Sequence, residues 1–180
     1  MSKAIDDLMR EHDAILSSLK ILDRIATDIG GGTMPDQLDL SRFTGFLKEF
    51  TDKCHHGKEE GILFPALINA GIPKEGGPIA VMLSEHEQGR SFIREMDRAT
   101  ASGPDYEAFA GAARQYSALI KGHIQKENGV LFPIAERALD KDRLEQLFEA
   151  FEEHEENVIG HGRHEKLHEL LEGMKAKYLG

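Results

Sequence analysis

The chain has 180 residues, enough for one domain with a substantial core and too few for two of ordinary size. Asp and Glu number 32 against 22 Lys and Arg, a formal net charge of −10 with no basic stripe, so nucleic acid and anionic membrane surfaces are poor partners. No apolar run is long enough to span a bilayer, the N-terminus lacks a signal-peptide core, and the single cysteine, Cys54, excludes an internal disulfide and fits a reducing cytoplasm.

Sparse aromatics, no Trp, and abundant Ala, Leu, Glu and Lys predict an all-α fold. The first helix, about 3–29, carries Ile5, Leu8, His12, Ile15, Leu19, Leu22 and Ala26 at alternating spacings of three and four, the seam of a bundle helix. After GGGTMPDQ the second helix runs from about 38 to the high 60s, with Phe43, Leu47, Phe50 and Cys54 leading into HHGKEEGILFP. GIPKEGGP then opens a third helix, about 78–101, whose seam of Ile79, Met82, His86, Gly89, Ile93, Met96 and Thr100 has the first helix's spacing, displaced by 74 residues. A fourth, about 105–138, carries Phe109, Ala112, Tyr116 and Leu119 before HIQKENGVLFP. Pro65 and Pro133 each lack a backbone donor, so both helices are expected to kink or restart there. A fifth helical region, about 141–177, is interrupted near Gly160 and Gly162.

Short loops make successive helices antiparallel neighbours. The predicted architecture is therefore an up-down-up-down antiparallel four-helix bundle over 1–140, built from two similar hairpins. A C-terminal helical extension, 141–180, is expected to pack on it. The duplication singles out polar residues. Glu11-His12 matches Glu85-His86, His55 falls on His123, Lys58 on Lys126, Glu59 on Glu127, and Leu63-Phe64-Pro65 on Leu131-Phe132-Pro133. His followed four residues later by Glu shares one helix face. His56 and Glu60 have the same spacing, but their counterparts are Ile124 and Asn128. They are expected to be rotated away by about 100°, as outer support or facing water.

Each hairpin thus offers one seam His and one inward His-x3-Glu, giving His12, His55, Glu59, His86, His123 and Glu127 as candidate metal ligands. Four imidazoles and two carboxylates in an apolar core suit a pair of first-row cations, since two unpaired Glu there are costly. Two divalent ions bring +4 against −2, and a bridging oxide or hydroxide can offset the remainder. Leu-Phe-Pro reads as core packing plus helix termination. Tyr116, two turns before His123, reads as an outer phenol beside the centre, a ligand on oxidation, or a core residue, and Cys54 as a buried packing thiol. His161, His164 and His168, spaced three and four apart, read as one polar face of a solvated helix or a second metal site. Nearby Val158, Ile159, Leu167, Leu170 and Leu171 either dock the extension on the bundle or join two subunits as a homodimer.

With Arg10-Glu11-His12, His55-His56-Gly57-Lys58-Glu59-Glu60, Leu63-Phe64-Pro65, Ser84-Glu85-His86, His123, Lys126-Glu127 and Leu131-Phe132-Pro133 in order, the sequence resembles the hemerythrin-like family, the HHE cation-binding domain. The resemblance covers about 1–140. It implies a non-haem di-iron centre held by the same six residues, with Glu59 and Glu127 bridging. Oxygen-carrying hemerythrins have a second His four residues after the third-helix ligand. Here that place is Arg90, a poor ligand, so the site is similar to the four-His, two-Glu version found in di-iron proteins linked to repair of iron centres under nitrosative stress. That group usually carries a cysteine-bearing N-terminal extension, and this sequence opens almost directly on its first helix.

Such a centre leaves coordination positions open for O2, NO or peroxide. Three roles follow: a gas-binding or sensing module, an enzyme reducing peroxide, O2 or NO, and an iron donor to damaged centres. The same ligand types also suit Zn or Mn.

Overall fold

The computed structural model describes residues 1–180 and contains six helices and no strand. They are α1 (Lys3–Gly30), α2 (37–69), α3 (Pro78–Ala101), α4 (106–138), α5 (141–160) and α6 (Arg163–Leu179). Side-chain caps start several of them. Ser2 accepts from the Ile5 amide, Asp36 from Leu38, Asp105 from Ala108 and Asp140 from Arg143, each satisfying a donor the first turn leaves free. Pro78 opens α3, where a missing amide hydrogen costs nothing.

α1 to α4 form the predicted bundle, with α4 packed on both α1 and α3. α2 and α4 are not uniform α-helices. Leu47–His56, Glu59–Leu63 and Glu127–Leu131 are wound as wider π-helix, and the Phe64 and Phe132 amides donate five residues back, to the carbonyls of Glu59 and Glu127. For the two shorter stretches the cause is legible. A proline ring collides with the carbonyl four residues earlier, here Gly61 and Gly129, and widening the turn relieves the clash. Ordinary α-helix resumes at Phe64–Asn69 and Phe132–Ala138.

Two apolar clusters fill the interior, and every bundle helix contributes to both. Ile15, Phe50, Ile93 and Ile120 lie in one; Leu8, Leu63, Met82 and Leu131 lie in the other. The residues between them along each helix are His12, His55 and Glu59, His86, and His123 and Glu127, all buried. A polar layer therefore divides the core.

The extension continues the same interior. Leu144, Leu147 and Phe151 of α5 join one cluster, and Leu167, Leu171 and Met174 of α6 join the other with Ile159. Val158 stays exposed. His154 of α5 sits over Gly57, where any Cβ would lie 2.9 Å from its ring, and its Nε2 meets the Lys53 carbonyl at 3.0 Å.

Candidate metal centre

The four seam and His-x3-Glu histidines share one arrangement: Nδ1 turned outward to an oxygen acceptor, Nε2 turned inward. His55 donates from Nδ1 to Glu11 (2.8 Å) and His123 to Glu85 (2.9 Å). His12 donates to the Asn128 amide oxygen (2.8 Å) and His86 to Glu60 (2.7 Å). Each acceptor comes from a neighbouring helix and fixes the tautomer that leaves an Nε2 lone pair free, the arrangement that orients metal-binding imidazoles. The second oxygens of Glu11 and Glu85 take Lys58 and Lys126 respectively.

The duplication holds at the level of ring geometry. His12 and His55 lie 4.7 Å apart at 61°; His86 and His123 lie 4.7 Å apart at 60°. Phe132 stacks on His12 and Phe64 on His86. The Phe of each Leu-Phe-Pro therefore holds an imidazole in place, beyond the core packing read from sequence.

Glu59 and Glu127 span the two pairs. Glu59 places one oxygen 3.6 Å from His55 Nε2 and the other 3.3 Å from His86 Nε2. Glu127 lies 3.1 Å from His12 Nε2 and 3.2 Å from His123 Nε2. Despite these distances, all four carboxylate oxygens and the Nε2 atoms of His12 and His55 have no hydrogen bond of acceptable geometry, and all are buried. Lone pairs facing one another across a dry gap repel. A cation held between them turns that repulsion into coordination. Two overlapping donor groups result, His12, His55, Glu59 and Glu127 on one side and His56, Glu59, His86 and His123 on the other, with the atoms of each within 4.8 Å of one another. Imidazole and carboxylate suit iron, and equally zinc or manganese.

Residues 3–135 match the model of the Hemerythrin HHE cation binding domain. The chain belongs to the hemerythrin HHE family. An iron-sulfur cluster repair protein of Neisseria gonorrhoeae, DnrN, is 30% identical over 67% of this chain and 80% of its own length. The iron-sulfur cluster repair protein YtfE of Salmonella paratyphi B is 36% identical over 45% of this chain and 40% of its own. An uncharacterised protein of Mycobacterium tuberculosis is 24% identical over 87% of this chain, and the match spans 63% of that protein's length. No solved structure matches. Family membership and the buried His/Glu groups together support iron binding. No helix is long and apolar enough to cross a membrane.

The cluster departs from its own twofold symmetry on one side. His56 does not face water. It is buried, stacks on His86 at 3.8 Å, and approaches His123 edge-on at 5.6 Å. Burial, and then the neighbouring imidazoles, push its pKa well below the usual histidine value, so it is neutral. Arg90 bonds Asp52 at 2.8 Å and Glu60 at 2.5 Å, and these three side chains are each about a quarter exposed. The positions matching Asp52, His56, Glu60 and Arg90 in the other half are Ile120, Ile124, Asn128 and Leu16. One end of the centre is thus polar and semi-open, the other largely apolar.

Two further predicted residues fall outside the cluster. Tyr116 lies in the apolar core, its hydroxyl without a hydrogen bond. Cys54 is buried, its thiol 3.8 Å from Glu11, and burial followed by the Glu11 charge pushes its pKa up, so it stays protonated. Sequence reasoning gave no role to Glu11, Glu85, Asn128 or Lys58. The signal was present for three of them, since Glu11 with Glu85 and Lys58 with Lys126 recur in the duplication.

Proposed function

We propose that this chain holds two iron ions at His12, His55, Glu59, His86, His123 and Glu127, with Glu59 and Glu127 bridging, and that the centre binds or reacts with O2, NO or peroxide. The observation that carries this is the buried, unpartnered state of both carboxylates between four oriented imidazoles. Iron so bound supplies redox chemistry and open coordination positions. The chain's own residues orient and exclude. Glu11, Glu60, Glu85 and Asn128 lock the four rings, Phe64 and Phe132 press on two of them, and the flanking apolar clusters keep water out.

Small molecules reach the centre from the side of His56, Asp52, Glu60 and Arg90, because there the wall is polar and partly exposed. Replacing His56 by Ile, its counterpart's identity, tests both parts of this reading. The native protein, reduced anaerobically and reoxidised, should give two inequivalent iron signals by Mössbauer spectroscopy. His56→Ile should bring them together and slow azide or NO binding. Fewer than two irons per chain on elemental analysis, or two signals unchanged in the variant, contradicts it.

A second reading, iron donation to damaged iron centres, is favoured by the names of the Neisseria and Salmonella relatives. Net loss of iron to an apo-ferredoxin under NO supports donation; a stable adduct with full iron retention supports binding; multiple turnovers support an enzyme.

A further inference from the structure

The geometry points to a second, solvent-facing metal site formed by His164 and His168 on α6, taking a borderline first-row divalent cation such as Ni2+, Zn2+ or Cu2+. It lies outside residues 3–135 and stands whether or not the buried centre carries iron.

His164 Nε2 and His168 Nε2 face each other at 3.0 Å. Two imidazole nitrogens, each about 2.0–2.1 Å from one ion at a cis angle of about 90–110°, stand about 2.8–3.4 Å apart. The pair is therefore already at coordination spacing. In the buried centre His86 and His123 show the same signature, Nε2 to Nε2 at 3.1 Å. The rings are also pre-oriented, which a bare i, i+4 pair on an exposed helix lacks. His164 donates from Nδ1 to Glu155 at 2.7 Å, and the other oxygen of Glu155 is held by Lys58. This leaves the His164 lone pair on Nε2, aimed at His168. Phe50 packs edge-on against both rings, at 5.5 and 5.2 Å.

Two neutral imidazoles with water in the remaining positions suit borderline cations that prefer nitrogen, rather than Mg2+ or Ca2+. His161 does not contribute. It is 90% exposed and pairs with Glu156 at 2.8 Å. Glu11, Cys54 and Glu155 also come within reach of His164, but the Lys58 ammonium already sits among these groups and repels a cation there. The same ammonium separates the surface pair from His55, so the two sites fill independently.

Nickel is a suitable probe. Titrated by calorimetry into the full chain with its iron content measured beforehand, it should bind as one equivalent without displacing iron. His164→Ala and His168→Ala should each weaken that binding at least tenfold at unchanged iron content, and His161→Ala should leave it intact. A Cu2+ electron paramagnetic resonance spectrum should show two coupled imidazole nitrogens in the wild type and one in His168→Ala. Absence of the nickel equivalent, binding only at the expense of iron, equal affinity in His168→Ala, or equal loss in His161→Ala overturns the assignment.

Discussion

Glu11 shows how one side chain serves two masters. One oxygen fixes the His55 ring and the other holds Lys58. Burial opposes its charge, but His55 and Lys58 outweigh burial and hold its carboxyl down to about 2, from an ordinary 4.5. A folded pKa below the unfolded one contributes stability that is fully present above about pH 4.5 and is lost as pH falls towards about 2. A displacement of this size corresponds to roughly 3 kcal/mol. Glu11→Gln should therefore lower stability at pH 7 by an amount of that order. In urea melts from pH 7 to pH 2, the gap between variant and wild type should close below pH 4.5; a gap independent of pH removes the charge from the account. His56 belongs to the same scale. Comparing the two halves of the sequence recovers only features that occur twice, so a residue acting on one side alone escapes it.

The helical elements carry a paired experiment within one chain. Lys58 and Lys126 occupy matching positions on α2 and α4, and each bonds the Glu that fixes its histidine. Lys126 is 45% exposed, whereas Lys58 is fully buried among Asp7, Glu11 and Glu155, with its ammonium 5.6 Å from the Phe151 ring. Removing one partner of a buried charge cluster costs about 3–5 kcal/mol, and breaking an exposed pair less than about 1 kcal/mol. Lys58→Met should thus destabilise strongly and Lys126→Met barely, measured as the difference in urea midpoint. Similar midpoints in both would mean that α5 does not desolvate Lys58. The helix seams and proline breaks were readable because each depends on local spacing. The wide turns at Glu59–Leu63 and Glu127–Leu131 were foreshadowed only as kinks or restarts, since the backbone's choice between these and widening depends on what the turn must present inward.

For the molecule as a whole, the metal binding proposed at the polar layer would tie folding to the ions. Without cations, two buried carboxylates lack partners, and binding that favours the folded chain raises its stability by mass action. His55→Ala and His123→Ala should each lower metal content and melting temperature together, by several degrees at about 2–4 °C per kcal/mol for a chain of this size. His168→Ala should change neither the iron content nor the melting temperature. Retention of both irons after loss of a buried histidine would refute the ligand set.

The sequence by itself determined the all-α class, the duplicated hairpins and the six paired His and Glu positions, because helical periodicity and internal repetition are properties of spacing along the chain. Only the tertiary structure decided which oxygen holds each ring, that His56 turns inward, that α5 buries Lys58, and that Glu155 and Phe50 orient His164 and His168. These depend on contacts between helices far apart in sequence. The extension has no counterpart in the repeat, so its packing on one face breaks a symmetry that the repeated residues alone would suggest.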